Sequence, residues 1–305
     1  MMVIEKIKRV LTKPRYILIY ALYIIAPIVP DRLYLRLMFR LKMGYWMDFD
    51  NPQTFNEKLQ WLKLYNRRAE YTQMVDKYAV KQYVASVIGQ QYIIPTLGVW
   101  DRVEDIDFDS LPEKFVLKCT HDSGGVVICT DKSQLDIAAA KAKLRAALKS
   151  DYYPRSREWP YKGVVPRIIA EQYMVDESGY ELKDYKFFCF DGQPKALFVA
   201  SDRSHPTEET KFDFFDIEFN HLPFTNGHPN STNPVAKPKG YDTMCALAAK
   251  LSAGMPHARI DFYDINGEVY FGEITFFHWG GFIHFTPMEW DYTFGSWLTL
   301  PDKRV

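Results

Sequence analysis

Apolar and polar positions change their period along the chain. Val3, Ile4, Ile7, Val10 and Leu11 fall at helical spacing among Lys6, Lys8, Arg9 and Lys13. An apolar run then extends from Tyr16 to Val29, broken by Pro27. As a helix it would measure about 21 Å, short of the roughly 30 Å hydrocarbon core of a bilayer. The charged start and apolar run imitate a signal peptide, but Pro30-Asp31-Arg32 follows in place of a small-residue cleavage site. A helix is predicted over Asp31–Lys42, with Arg32, Arg36 and Arg40 in one stripe beside Leu33, Leu37 and Leu41. Thr54 and Glu57 form a capping box for a helix through Tyr65. Asp76 is expected to cap a helix ending near Gly89, and Ser133 an Ala/Lys-rich helix reaching Lys149.

Strand signals dominate the rest. Ile93–Pro95 and Val99-Trp100 look extended. Phe115–Thr120 and Val126–Thr130 read as strands joined by the turn His121-Asp122-Ser123-Gly124-Gly125. Ile168–Met174 and Phe212–Phe219 read as strands, and Tyr241–Leu251 as a helix. Tyr185–Phe190 and Lys195–Ala200 form a predicted hairpin around Asp191-Gly192. Ala258–Asp264 and Glu268–Thr275 form another around Asn266-Gly267. Ser150–Pro166 and Leu222–Gly240 read as loops. Early helices followed by antiparallel hairpins make the fold class α+β.

Composition narrows this picture. A length of 305 residues suggests about two lobes. The 47% hydrophobic and 25% charged content excludes a disordered or collagen-like chain. A formal net charge of zero excludes a dominant nucleic-acid field. The zero is partitioned, however: residues 1–45 hold nine Lys/Arg against two Asp/Glu, and the remainder is acidic to the same extent. The basic segment is expected to dock peripherally on an anionic inner leaflet; the competing reading is a helical subdomain packed on the body. Cys119, Cys129, Cys189 and Cys245 form no CxxC pair and suit buried, reduced positions in a reducing compartment, the cytoplasm. No HExxH or HxH pattern points to structural zinc.

The second hairpin carries the strongest chemical signal. Arg259, Asp261, Glu273 and Thr275 are polar groups in apolar strands, and register decides whether they converge. A two-residue loop would pair Asp261 with Gly272 and turn Glu273 away. A three-residue loop, Ile265-Asn266-Gly267, would pair Arg259 with Glu273 and put all four on one face; that loop is predicted. Two convergent carboxylates are hard oxygen ligands suited to Mg²⁺. The competing reading is an ordinary exposed hairpin face. Upstream, Lys118 on a buried strand wants an anion. Gly124 and Gly125 in the next turn would let backbone amides approach phosphate. Glu171, Tyr173, Glu181 and Lys186 lie on or near a strand that could meet adenine and ribose.

The order of these pieces resembles the ATP-grasp superfamily, and within it the TupA-like branch of teichuronopeptide biosynthesis. Asp76-Lys77, Val116-Leu117-Lys118 with its Gly-bearing turn, Glu171-Gln172-Tyr173, Arg259-x-Asp261 and Glu273-x-Thr275 carry the likeness. Phe55-Asn56-Glu57-Lys58-Leu59-Gln60-Trp61, Asp184–Phe190 and Phe271–Phe276 extend it. The resemblance implies two α+β lobes holding ATP between them, after a helical, basic segment 1–75. The lobes would be residues 76–170, with a phosphate flap, and 171–305, with the metal-binding hairpin. It implies a carboxylate–amine ligase working through an acyl phosphate. Lys77 and Lys118 would contact the nucleotide phosphates under a flap of Ser123, Gly124 and Gly125. Glu171 and Tyr173 would sit at the adenine hinge, Glu181 at the ribose, and Lys186 as a third cationic contact. Asp261 and Glu273, with Thr275, would hold Mg²⁺. Arg259 would stabilise negative charge on the transferred phosphoryl group or the tetrahedral intermediate, and Lys118 would be the other catalytic residue.

Thr275 stands where superfamily ligases usually carry Asn, which weakens the case for a second metal site. His278-Trp279-Gly280-Gly281 represents the Gly-rich closing segment, and His121 or His278 could act as a base. The branch implies a uronic acid carboxylate as acceptor and an amino acid or peptide as amine donor, in cell-surface polysaccharide synthesis. Arg157, Arg203 and His205, on long loops, are candidate carboxylate or phosphate binders. Two rivals stand beside the ligase: a glycosyltransferase of the same pathway, and a non-catalytic ATP-binding protein.

Overall fold

The computed structural model describes residues 15–179, 181–203 and 208–303. The helical pattern over Val3–Leu11 and the candidate His205 lie outside the described residues. Helices α1 (Arg15–Ile25) and α2 (Asp31–Met43) are joined by a 3-10 turn that contains Pro27. Their inner faces, including Ile19, Leu22, Leu35, Met38 and Phe39, close on Phe282 as a core of their own. Arg157 locks this pair to the body. Its buried guanidinium donates to the carbonyls of Ala26 and Val29, pairs with Asp31 at 3.0 Å and lies 4.2 Å from the Tyr34 ring. Arg157 is therefore a structural clamp and not a binder of substrate anions.

Helix α3 (Phe55–Tyr65) begins at the expected capping box: Thr54 Oγ1 accepts from the Glu57 amide, and the Glu57 carboxylate accepts from the Thr54 amide. A short helix α4 (Glu70–Val75), not anticipated, precedes α5 (Ala79–Ile88). Asp76 caps α5 from three residues ahead, accepting from the amides of Tyr78 and Ala79 at 2.8 and 3.1 Å.

Strands β1 (Thr96–Trp100), β2 (Phe115–Cys119), β3 (Val126–Cys129) and, after a helix, β4 (Ile168–Gln172) form an antiparallel sheet in the order β1-β4-β2-β3. That helix, α6 (Ile137–Leu148), covers the sheet with Leu144 against Phe115 and Leu117. Its cap is Asp136, which accepts from the Ala139 amide at 2.9 Å. The expected cap, Ser133, sits one turn earlier, in a 3-10 turn headed by Asp131. A carboxylate next to the first helical amides satisfies both their hydrogen bonds and the positive end of the dipole.

The second sheet takes β5 (Asp184–Phe190), β6 (Gln193–Ser201), β7 (Lys211–Asp216) and, further on, β9 (Ala258–Ile265) and β10 (Glu268–Thr275), in the antiparallel order β10-β9-β5-β6-β7. The β5–β6 turn is the anticipated Asp191-Gly192, both at positive φ. Between β7 and β9 lie β8 (Thr225–Asn226) and helix α7 (Tyr241–Leu251), which packs across β5, β6 and β9. The segment read as a loop over Leu222–Gly240 thus holds one strand, paired with β11 (Phe285–Thr286). Cys119, Cys129 and Cys189 are buried, Cys245 half-buried, and all four are free thiols.

The last helix, α8 (Glu289–Trp297), also not anticipated, lies on α3. Gly295 makes this contact possible, because a Cβ there would stand 2.3 Å from the Gln53 carbonyl oxygen and 2.9 Å from the Phe55 amide. Gly295→Ala should therefore destabilise the fold by about 1–3 kcal/mol, despite alanine's better helix propensity. Urea unfolding of the variant checks this.

Candidate functional site

The site is built on the β9–β10 hairpin and the neighbouring β5. Ile265 pairs with Glu268, so the loop is the two residues Asn266-Gly267, both left-handed (φ +58° and +100°). The three-residue loop expected from the sequence does not form. The carboxylates nevertheless converge, by another device. The register shifts between Phe271 and Glu273, with Gly272 as the extra residue of a bulge, so Glu273 pairs with Asp261 and Thr275 with Arg259. Gly272 fits this bulge closely: a Cβ there would lie 3.1 Å from the Asp261 carbonyl oxygen.

Arg259 ties the four polar groups together. Its Nε and Nη2 donate to the two Asp261 oxygens at 2.8 Å each. Nη2 also donates to Glu273 Oε1 at 2.8 Å and Thr275 Oγ1 at 3.1 Å. Nη1 lies 3.0 Å from His278 Nδ1, whose other ring nitrogen is 2.8 Å from Asn226 Oδ1. Lys186, directly opposite Asp261 on β5, adds a second cation, paired with Asp261 and 3.5 Å from Asp184. Arg203 reaches Asp184 from the β6–β7 loop. Asp261 is fully buried, whereas the Glu273 side chain is 41% exposed and forms the open side of the cluster.

A second cluster lies on the four-stranded sheet. Glu171 on β4 accepts from Lys118 Nζ on one oxygen and Lys81 Nζ on the other, each at 2.6 Å. With one lysine on each oxygen, the Glu171 carboxylate anchors both Lys118 and Lys81. Lys81, the residue missed in the sequence, also donates to Ile94 O and Thr96 Oγ1. Its signal was its position four residues after Lys77.

Lys77 lies within electrostatic reach of Glu273 in the first cluster and of Lys118 in the second. Its Nζ donates to the Asp122 carbonyl, holding the turn that bears Ser123, Gly124 and Gly125. Burial lowers its pKa, and the attraction of Glu273 and Asp122 opposes that shift. Ser123 and Gly124 are exposed. Gly125 is buried, its amide is taken by Asp122 at 3.0 Å, and a Cβ would meet Ala147 at 2.5 Å. Its glycine answers a packing need as well as any ligand's. Tyr173 lies just past β4 and belongs to neither cluster. Glu181 sits in a separate network, accepting from the Asp202 amide at 3.0 Å with Lys183 at 3.6 Å.

Electrostatics separates the carboxylates from the histidines. Burial opposes ionisation of Glu273, but Lys186, Arg259 and Lys77 outweigh it and hold the carboxyl well below the usual range. Lys118 and Lys81 also lower the Glu171 carboxyl, against the opposing effect of its burial. The stability these groups contribute is fully present above the unfolded glutamate value of 4.5 and is lost as pH falls toward their depressed folded values. The urea midpoint should therefore drop below about pH 4.5, and Glu171→Gln should flatten that acid limb. Burial and the Arg259 charge push His278 well below its ordinary range. It stays neutral, with Nδ1 facing the Arg259 N–H, and so orients Arg259 and is not a free base. His121 is buried with Nε2 3.2 Å from the Ser150 carbonyl oxygen.

Helix α3 fixes the turn that carries His278. Trp279, Gly280 and Gly281 are all left-handed, and Gln60 and Lys63 hold them by donating to the carbonyls of Gly280 and Gly281. Asn56 clips the other side, donating to both Asp291 oxygens.

Residues 57–299 match the family model of the TupA-like ATPgrasp proteins. The chain belongs to this family. No curated protein matches it. Solved structures similar to this TupA-like chain include D-alanine–D-alanine ligase from Helicobacter pylori, at 12% identity and TM-score 0.44, covering 83% of this chain and 68% of that one. The corresponding ligase from Bacillus anthracis is 16% identical with TM-score 0.36, and covers 66% of this chain. The TupA-like chain spans only 56% of that ligase's length. The ATP-grasp ligase PsnB, solved with minimal precursor, Mg and ADP, is 11% identical with TM-score 0.38, covering 72% and 57% of the two chains.

The residues of the TupA-like site fit a divalent cation in kind. Arg259 Nη2 marks a point within 3.1 Å of oxygens from Asp261, Glu273 and Thr275, so these donors already converge on positive charge. Among the described residues no group of three or more His, Cys, Asp or Glu side chains gathers as a metal cage. Glu273 forms the exposed side, whereas both Asp261 oxygens are taken by Arg259 and Lys186, so a Mg²⁺ ion there would replace a cation contact on Asp261 and keep water and phosphate oxygens as its other ligands.

Proposed function

We propose that this protein is an ATP- and Mg²⁺-dependent carboxylate–amine ligase acting through an acyl phosphate. The observation that carries the reading is the convergence of Arg259, Asp261, Glu273, Thr275 and Lys186 on one face, in a chain of the TupA-like ATPgrasp family. We take the two sheets as the two lobes, with the nucleotide between them. Lys77 and Lys118 bind its phosphates, and Ser123 and Gly124 at the exposed tip of the turn close over them. Glu171 positions Lys118. Tyr173 and the backbone beyond β4 meet the adenine, and Glu181 lies toward the ribose. Asp261 and Glu273, with Thr275, hold Mg²⁺. The metal, when bound, supplies charge neutralisation for phosphoryl transfer.

Arg259 then faces the oxygens where negative charge grows as the acceptor carboxylate takes the phosphoryl group and as the amine displaces phosphate. His278, itself held by Asn226, faces one end of the Arg259 guanidinium. The acceptor is a uronic acid of a glycan or its precursor, and the amine an amino acid or peptide, in cell-surface polysaccharide synthesis. The reaction takes place in the cytoplasm, with peripheral contact to the inner membrane leaflet.

Mixing the full chain with ATP, Mg²⁺ and uronic-acid acceptors should yield ADP in step with amide formation. With hydroxylamine as the amine, an acyl hydroxamate should accumulate. Consumption of a nucleotide sugar without ADP formation would point instead to glycosyl transfer. ATP binding without turnover over a broad acceptor panel would point to a non-catalytic protein.

A further inference from the structure

Helix α1 is apolar on its outer as well as its inner side. No charged residue occurs between Tyr16 and Pro30. Ile19, Leu22 and Ala26 face the core, yet Ile17, Ile24 and Ile28 are 54%, 80% and 83% exposed, and Leu18 and Ile25 are exposed beside them. A cluster of this kind on a helix surface marks an interaction site. Eleven residues give α1 a length of about 16 Å, so it cannot span a bilayer. Among the described residues no helix is long and apolar enough to cross a membrane.

The neighbouring charges indicate what covers this face. α2, packed on α1, exposes Arg32, Arg36 and Arg40. Arg36 and Arg40 flank the ring of Trp46 at 5.4 and 5.9 Å, and Trp46 is itself 55% exposed. Exposed isoleucines on α1, and exposed arginines and a tryptophan on and just after the adjoining α2, match the apolar interior, anionic headgroups and interfacial zone of a lipid surface. A second copy of the chain is a poor occupant, because a twofold contact would set one arginine row near another. Residues 1–14 lie outside the described residues; their Lys6, Lys8, Arg9 and Lys13 against Glu5 add basic charge at this end of the chain, as an anionic surface would require.

We propose that the outer face of α1, with the α2 arginines, docks on an anionic phospholipid bilayer, α1 lying in the plane of the interface. The inference rests on the placement at the membrane given above and is independent of the ligase chemistry. The full chain should sediment with vesicles of phosphatidylcholine mixed with phosphatidylglycerol, not with phosphatidylcholine alone, and high salt should release it. Ile24→Asp/Ile28→Asp should lower vesicle binding about tenfold or more, and Arg36→Glu/Arg40→Glu should abolish the preference for anionic lipid. Both variants should keep the wild-type melting temperature and the wild-type rate of vesicle-free ADP formation. If no ADP forms under any condition, the ligase reading fails while the sedimentation result still stands. Docking is overturned if neutral and anionic vesicles bind alike or if the isoleucine variant binds normally. It is also overturned if that variant only turns a dimer into a monomer, or if vesicle binding appears only after residues 2–14 are deleted.

Discussion

Replacing Arg259 by methionine is expected to lower ADP formation by about 10²–10³ and folding stability by about 3–5 kcal/mol. The side chain is buried and donates to Asp261 through two nitrogens, to Glu273 and to Thr275. Methionine keeps much of the volume and removes every donor. Asp261, with no exposure, is left with Lys186 as its remaining cation. Losing one partner of a buried charge pair costs more than the pair contributed, because the other charge stays out of water. The activity term is separate: Arg259 is the fork-shaped donor aimed from the sheet toward the open side at Glu273. Arg259→Lys separates the two effects. It keeps a charge against Asp261 and should recover part of the stability, but it cannot reach Asp261, Glu273 and His278 together, so activity should stay low. Urea unfolding and ADP release, measured on both variants, decide this. Wild-type turnover in Arg259→Met would remove Arg259 from the chemistry.

The hairpin shows how sequence and structure divide the information. Asn266-Gly267 marked the turn, and the polar residues on apolar strands marked the site. The loop length that seemed needed to unite them was wrong, because strict alternation has no place for the bulge at Gly272. A glycine in a strand was the available sign. Ser133 and Asp136 repeat the lesson on a smaller scale: both are good caps three residues apart, and packing of Leu144 on the sheet selects the later start.

What remained illegible depends on distance along the chain. Asn56, Gln60 and Lys63 lie in the helix that Thr54 and Glu57 open. Folded, they are buried and bonded to Asp291, Gly280 and Gly281, more than two hundred residues away. Arg157 likewise read as a loop charge and is a clamp on α1 and α2. No local period carries such pairings. They link the amino-terminal helices to the site: α3 sets the left-handed turn after His278, and His278 sets Arg259.

Glu273→Gln and Asp261→Asn should both lower ADP formation by about 10²–10³, but they should part on stability and on Mg²⁺. Each substitution keeps the shape and removes one negative charge. Asp261 is fully buried between Arg259 and Lys186, so Asp261→Asn leaves two enclosed cations facing a neutral amide. A loss of about 3 kcal/mol or more should follow. Glu273 is part-exposed, and water can replace its charge near Arg259 and Lys186. The stability of Glu273→Gln should fall by less than about 1 kcal/mol. Its activity should instead depend on metal: chelation should abolish turnover in the wild type, and Glu273→Gln should need much more Mg²⁺ for its residual rate. ADP release as a function of Mg²⁺, set beside urea unfolding, distinguishes a ligand to the metal from a partner of Arg259. If Glu273→Gln kept the wild-type Mg²⁺ response, Glu273 would be only such a partner, and the metal would have to lie elsewhere.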